Sequence, residues 1–415
     1  MDASAEVRAH PESSSTNASP SNPPLSGPPV GAWLLLCSTL VFAVIVVGGV
    51  TRLTESGLSI TEWKPVTGVI PPLSHADWEE EFAKYKATPE YKMLNAHMTV
   101  DDFKDIYYME WGHRVLGRVI GGAFVIPLAY FALRKRLSPG LPARLAGFAF
   151  LLGGQGALGW YMVKSGLEDE ILTTPGAIPR VSQYRLAAHL GAALVLYAGM
   201  FYSGISIMKD GKFAHKGTWA GLRDAGNTWM QTSKALRAFR RHSALLTALV
   251  FLTAFSGAFV AGLDAGLLYN EFPMMGGRLH PPADELVAPA YSGTDGKERW
   301  RNIFENPTTV QFDHRVLGVA TYTAAALVFA LTFLRRRALP PAAMRAAAVT
   351  FGVANVQVAL GISTLLYLVP VPLAAAHQAG SVMLLTAALH MILAVRRPGA
   401  ASQAWRKASY SLLYS

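Results

Sequence analysis

With 415 residues, 51% of them hydrophobic and only 15% charged, the chain is too apolar for a soluble multidomain protein. Its single cysteine, Cys37, excludes an intrachain disulfide and a cysteine-built metal site. The formal charge of +10 would suit nucleic acid, but the basic residues sit in alternate connections between apolar runs, which points to membrane orientation and to no nucleic-acid partner.

Residues 1–30 are rich in Ser, Pro and Asn and are expected to form a disordered tail. Asp2, Glu6 and Glu12 against one Arg8 do not suit a mitochondrial transit peptide. A bacterial inner membrane is therefore expected, with the mitochondrial inner membrane as the alternative. Eight apolar stretches follow, at 31–51, 111–133, 144–163, 184–207, 243–263, 313–334, 344–368 and 371–395. Stretches of about 20 residues cross the ~30 Å hydrocarbon core as helices. The expected fold class is an all-α integral membrane protein with eight transmembrane helices.

The connections 134–144, 208–242 and 335–345 are strongly basic, and the tail adds Arg396 and Arg397. The connections 52–110 and 264–312 are mixed or acidic. The positive-inside rule then puts both termini in the cytoplasm, with two long outer loops. The loop 209–242 is free to meet a partner protein or anionic membrane lipid, and 398–415 forms a cytoplasmic tail.

The chain repeats itself. HRVLG occurs at 113–117 and again at 314–318. GGVTRLTESGL (48–58) aligns without gaps on GAFVAGLDAGL (257–267), QGALG (155–159) on QVALG (357–361), and AAH (187–189) on AAH (375–377). Four matches in one order indicate a duplicated four-helix unit, 31–208 and 243–397. Each half has an even number of spans, so the repeat is parallel, about an axis along the membrane normal.

Of eleven histidines, four are repeat-matched: His113, His189, His314 and His377. Ionisable groups within membrane spans are costly and mark function. Two imidazoles facing each other across a four-helix bundle suit axial haem ligation. His113 with His189, and His314 with His377, would then make two haem sites. Gly117, Gly121 and Gly318 leave room for a flat ring. Arg114 and Arg315 follow their histidines directly, and with Arg52 they could contact haem propionates. The alternative for such arginines is snorkelling to lipid headgroups.

The halves differ at one position. Glu110 stands three residues before His113, on the same helix face, where the second half has Gln311. A carboxylate there can take protons, orient water or stabilise developing positive charge. The asymmetry points to one reactive and one electron-carrying site. The first half also owns the aromatic outer segment 51–110, with Trp63, Trp78, Tyr85, Tyr91, Tyr107, Tyr108 and Trp111. Its 71–106 stretch is expected to form short amphipathic helices that cap the bundle.

GGVTRLTESGLSITEWKPVTGVIPP (48–72) and YYMEWGHRVLGR (107–118) resemble the haem A synthase family, over about 31–397. The resemblance implies oxidation of the C8 methyl of haem O to the formyl of haem A, for terminal cytochrome oxidase. It implies a substrate side at His113 and His189, a haem B cofactor with axial ligands His314 and His377, and a functional glutamate at Glu110. Haem O would come from haem O synthase. The outer-loop cysteine pairs of many bacterial relatives are missing here, which resembles the alphaproteobacterial and mitochondrial branch. The electron acceptor and self-association stay open. A membrane di-haem electron-transfer cytochrome is the alternative, and it leaves Glu110 unexplained.

Overall fold

The computed structural model describes residues 25–65, 67–174, 176–222 and 233–413, with side chains to 409. It is helical, with no β-strand among the described residues. The principal helices are α1 (Pro28–Leu53), α2 (His75–Lys86), α3 (Val100–Leu133), α4 (Leu141–Lys164), α5 (Gln183–Lys216), α6 (Lys234–Gly262), α7 (Pro307–Leu334), α8 (Pro341–Leu366), α9 (Val371–Ala394) and α10 (Ala400–Leu413).

Several start signals are plain. A proline opens the first turn of α1, α4, α7, α8 and α9, where its missing N–H costs no helical bond. Ser74 with Asp77, and Thr99 with Asp102, form capping boxes for α2 and α3.

Seven helices, α1, α3 and α5 to α9, are long and apolar enough to cross a membrane. The protein is an all-α, multi-pass membrane protein. The expected span at 144–163 corresponds to α4, which has 24 residues. Its glycines and Gln155 dilute the hydropathy and set it apart from the other seven.

The helices form two rings of four. In the first, α1 packs on α3 and α5, and α4 packs on α3 and α5. In the second, α6 packs on α7 and α9, and α8 packs on α7 and α9. The rings meet where α1 touches α9 and α5 touches α6. Leu34, Phe124, Leu145, Leu194 and Met200 fill the first ring, and the same apolar cluster continues into the second through Leu246, Val250 and Leu385.

Three boundaries differ from the expectation. α3 begins at Val100, well before the apolar run at 111, because the capping box starts the helix in its charged first portion. α5 runs on to Lys216 and α6 starts at Lys234, so 209–216 and 234–242 of the basic loop are helical. No proline interrupts the run before Gly217, which ends α5 in the left-handed region at φ 62°. The rest of that loop, 223–232 with Arg223, lies outside the described residues. Most of the expected tail folds as α10 (Ala400–Leu413) on α5, held by an Arg396–Asp210 pair at 2.8 Å and by Trp405 against His215. Most of the expected disordered segment 1–30 lies outside the described residues, and α1 already starts at Pro28.

Candidate functional site

The long segment between α1 and α3 forms a cap over one end of the bundle. α2 lies against the first part of α3, and the turn Pro89–Met93 packs on α2 and on Glu170–Thr173. Trp78, Phe82, Tyr85, Phe103 and Tyr107 form a buried aromatic cluster there, with Tyr91 and Trp111 packed on it. Below it lies a cavity of about 470 Å³. His113 and His189 both line it, on α3 and α5, with Glu110, Gly117, Gln155 and Trp160. Trp63 stacks on Trp160 at 6.2 Å and also lines the wall, so aromatic area shields the space from water.

Each matched histidine lies against a glycine on a neighbouring helix. A methyl at Gly48 would stand 2.9 Å from His113 Nε2, and one at Gly159 3.1 Å from His189 Cε1. A methyl at Gly257 would stand 3.3 Å from His314 Cε1, and one at Gly361 2.8 Å from His377 Cε1. These four glycines occupy the aligned positions of the repeated segments, so the same seat is used twice in each half. Gly117, Gly121 and Gly318 face open space.

Glu110 is only 3% exposed. Its carboxylate accepts from Ser59 Oγ at 2.7 Å and the Ile60 amide at 2.8 Å on one oxygen. Arg114 donates to the other at 2.6 and 3.1 Å. Gln311, equally buried, donates to the Tyr269 carbonyl at 3.2 Å, and its own oxygen has no partner.

Of the arginines expected to contact propionates, Arg114 and Arg315 hold loop carbonyls as well, while Arg52 Nε and Arg315 Nε stay buried without a partner among the described residues. Arg114 also donates to the carbonyls of Ile60 and Glu62, and Arg315 to those of Tyr269 and Met274. Ile60 and Tyr269 are equivalent positions when the glycine segments are aligned. The HRVLG arginine thus ties the loop after the first helix of each half back onto the bundle. Arg52 pairs with Asp264 at 2.7 Å, and Arg180 reaches the same carboxylate at 3.4 Å. Asp264 and its aligned partner Glu55 both have φ of 52°, the left-handed turn that ends α6 and α1 alike.

Several polar residues around the site were not singled out from the sequence. Glu90 lines the cavity at 4% exposure and accepts from Tyr85 Oη at 3.2 Å. Burial pushes its carboxyl up to about 8. It read as one acid among many in a charged stretch. Gln357 Nε2 lies 3.1 Å from His377 Nδ1 and donates to the His377 carbonyl at 3.0 Å. Its counterpart Gln155 leaves Nε2 buried without a partner, as His189 leaves Nδ1. The QGALG/QVALG match carried that signal. Ser256 Oγ lies 2.7 Å from His314 Nδ1.

The lining of the first cavity fits a flat iron macrocycle, and the second ring of helices presents a matching histidine pair. Two imidazoles are presented per ring of helices, each backed by glycine, and the first pair borders a large cavity with orphaned polar atoms.

A family described as cytochrome oxidase assembly protein, COX15-CtaA, matches residues 31–389. The chain is 49% identical over 365 residues to a heme A synthase–mitochondrial ferredoxin fusion protein of Schizosaccharomyces pombe, covering 87% of this chain and 59% of that protein. It is 46% identical over 373 residues to heme A synthase COX15 of Saccharomyces cerevisiae, covering 89% and 76%. It is 47% identical over 372 residues to heme A synthase of Nitrosospira multiformis, covering 89% and 94%.

Proposed function

Because the chain belongs to the COX15-CtaA family of cytochrome oxidase assembly proteins, we propose that it is a haem A synthase. In this reading it oxidises the C8 methyl of haem O to a formyl group, making haem A for terminal oxidase. The observation that carries the reading is the placement of Glu110. It is a buried carboxylate on the wall of the His113–His189 cavity, while the matched place in the second half holds an amide.

His113 and His189 hold and orient the haem O substrate in the cavity. The Trp63–Trp160 stack and the cap exclude bulk water. Glu110 is held rigid by four donors, two on each oxygen, which together occupy its acceptor sites. Because Arg114 pairs with it as a carboxylate, Glu110 acts here by fixing negative charge beside the methyl, where positive charge develops, more than as a free base. Two successive hydroxylations of the methyl carbon, with water supplying the oxygen, give a gem-diol, and loss of water leaves the aldehyde; the four electrons and four protons released pass to an external one-electron acceptor and to solvent. His314 and His377 would hold haem B, which supplies one-electron redox capacity when bound.

In this reading α4 is the eighth crossing. It completes the first ring as α8 completes the second. Both termini then face the side of the basic connections, in a bacterial inner membrane or its mitochondrial equivalent.

The test is to express the chain in a host that supplies haem O and lacks its own haem A synthase. Extracted haems are identified by chromatography and mass. Haem A with the natural chain, and its loss with Glu110→Gln while bound haem is kept, is the expected result. Haem B alone, with haem O left unconverted, would make the chain an electron-transfer cytochrome.

A further inference from the structure

The two halves seat their histidines alike and secure them differently. Ser256, on α6 just before Gly257, donates its hydroxyl proton to the Thr253 carbonyl at 2.8 Å. With that proton on the carbonyl, the Ser256 oxygen is free to accept the Nδ1–H of His314 at 2.7 Å. In that arrangement Nδ1 of His314 carries the proton and Nε2 keeps a free lone pair. This is the tautomer that a metal-binding imidazole needs when it ligates through Nε2.

The aligned position in the first half, just before Gly48, is Val47. Valine has no group to accept a proton. Among the described residues no hydrogen bond fixes the His113 ring. At the second histidine of each half the contrast is in ring orientation rather than tautomer, because the Gln357 NH2 can only donate. The Gln357 amide stands against Nδ1 of His377, whereas Gln155 and Nδ1 of His189 are both buried without partners. Both rings lie against a glycine of the neighbouring helix, where a methyl at Gly48 would stand 2.9 Å from His113 Nε2 and one at Gly257 3.3 Å from His314 Cε1.

We propose that Ser256 is a positioning residue that locks His314 as a permanent iron ligand, while Val47 at the matched place leaves His113 able to take up and release its haem. The inference rests on the reading above that the histidine pairs ligate haem. It supplies what that reading lacks, a physical reason why one side keeps its haem and the other exchanges it. An enzyme whose substrate and product are both haems needs one such side of each kind. Partners of this type typically change metal affinity by about 10–100-fold when removed.

The test uses the full chain, purified from a host that makes only haem B and mixed with an excess of a haem-scavenging globin. The rate of haem loss and the resonance spectrum of the ferric low-spin iron are both read. Ser256→Ala is expected to speed loss from the His314 side by about 10–100-fold and to shift the low-spin signal. Ser256→Thr, which keeps the hydroxyl, should restore both. Val47→Ser should slow loss from the His113 side.

An unchanged rate and signal in Ser256→Ala would overturn the proposal. So would a faster loss with an unchanged signal and no rescue by threonine, which would assign Ser256 to packing alone. A His314→Ala control that keeps its full haem content would instead overturn the two-site reading itself.

Discussion

Glu110 and Arg114 lie one helical turn apart on α3 and meet at 2.6 and 3.1 Å, with the carboxylate oxygen accepting from two nitrogens of one guanidinium. A lysine cannot reproduce that two-point contact, nor reach the Ile60 and Glu62 carbonyls at the same time. Hydrogen bonds to charged groups are worth about 1.5–3 kcal/mol. Arg114→Lys is expected to lower haem A formation about 10–100-fold while the histidines still hold haem. Haem extraction beside an absorbance spectrum separates the two effects, and equal loss of both would count against the pairing.

The glycine seats make a sharper prediction. Gly361→Ala would place a methyl 2.8 Å from the His377 ring, and Gly48→Ala one 2.9 Å from His113. Overpacking of this kind costs about 1–3 kcal/mol, and the ring can relieve it only by leaving its place. Each variant should keep its helical content and lose imidazole–iron absorption on its own side. Gly112→Ala, with nothing within 4 Å, is the control and should behave as the natural chain. Normal spectra in both seat variants would refute the role assigned to these glycines.

Glu90 predicts a pH dependence of stability. Its carboxyl is raised from an ordinary 4.5 to about 8 by burial. Between those values the folded chain binds more protons than the unfolded one, so stability is full below about pH 4.5 and falls as pH rises through 8. The slope from this group is at most about 1.4 kcal/mol per pH unit. Glu90→Gln should flatten the decline between pH 6 and 8.5 in thermal unfolding in detergent. A parallel curve for the two proteins would mean that Glu90 ionises freely in the fold.

The junction of the two rings can be probed at Gln378, next to His377. Its amide donates to the Ile45 carbonyl on α1 at 2.9 Å, and it fills the space beside Gly49 so closely that no methyl fits there. Gln378→Ala should destabilise by about 1 kcal/mol, the usual worth of one hydrogen bond. Gly49→Ala should cost more, because Gln378 has to be pushed out. Melting temperatures that rank the other way would show that the contact carries no weight.

The repeat, the four histidines and the Glu110–Gln311 contrast were readable as residue identities because each recurs in a short aligned segment. The glycine seats were half readable. Gly48, Gly159, Gly257 and Gly361 stood inside the aligned motifs, but that each receives a histidine ring is a matter of helix rotation. The arginine partners were hidden. Ile60, Glu62, Tyr269 and Met274 contribute backbone carbonyls, and a carbonyl leaves no mark in side-chain identity. The ends of α3 and α5 were misjudged because apolar runs report membrane thickness, whereas capping residues such as Thr99 and Gly217 set where a helix stops. Glu90 was invisible because its burial comes from the fold of the cap.

The rings join through α1 on α9 and α5 on α6, which are the same pair of surfaces used twice. Two identical four-helix chains would meet in this way about a two-fold axis, each presenting one patch to the other's counterpart. In such a homodimer every substitution appears in both active sites at once. Joining the copies in one polypeptide removes that constraint. Glutamate and glutamine, or valine and serine, can then stand at equivalent addresses, and a symmetric pair becomes a machine with a front and a back.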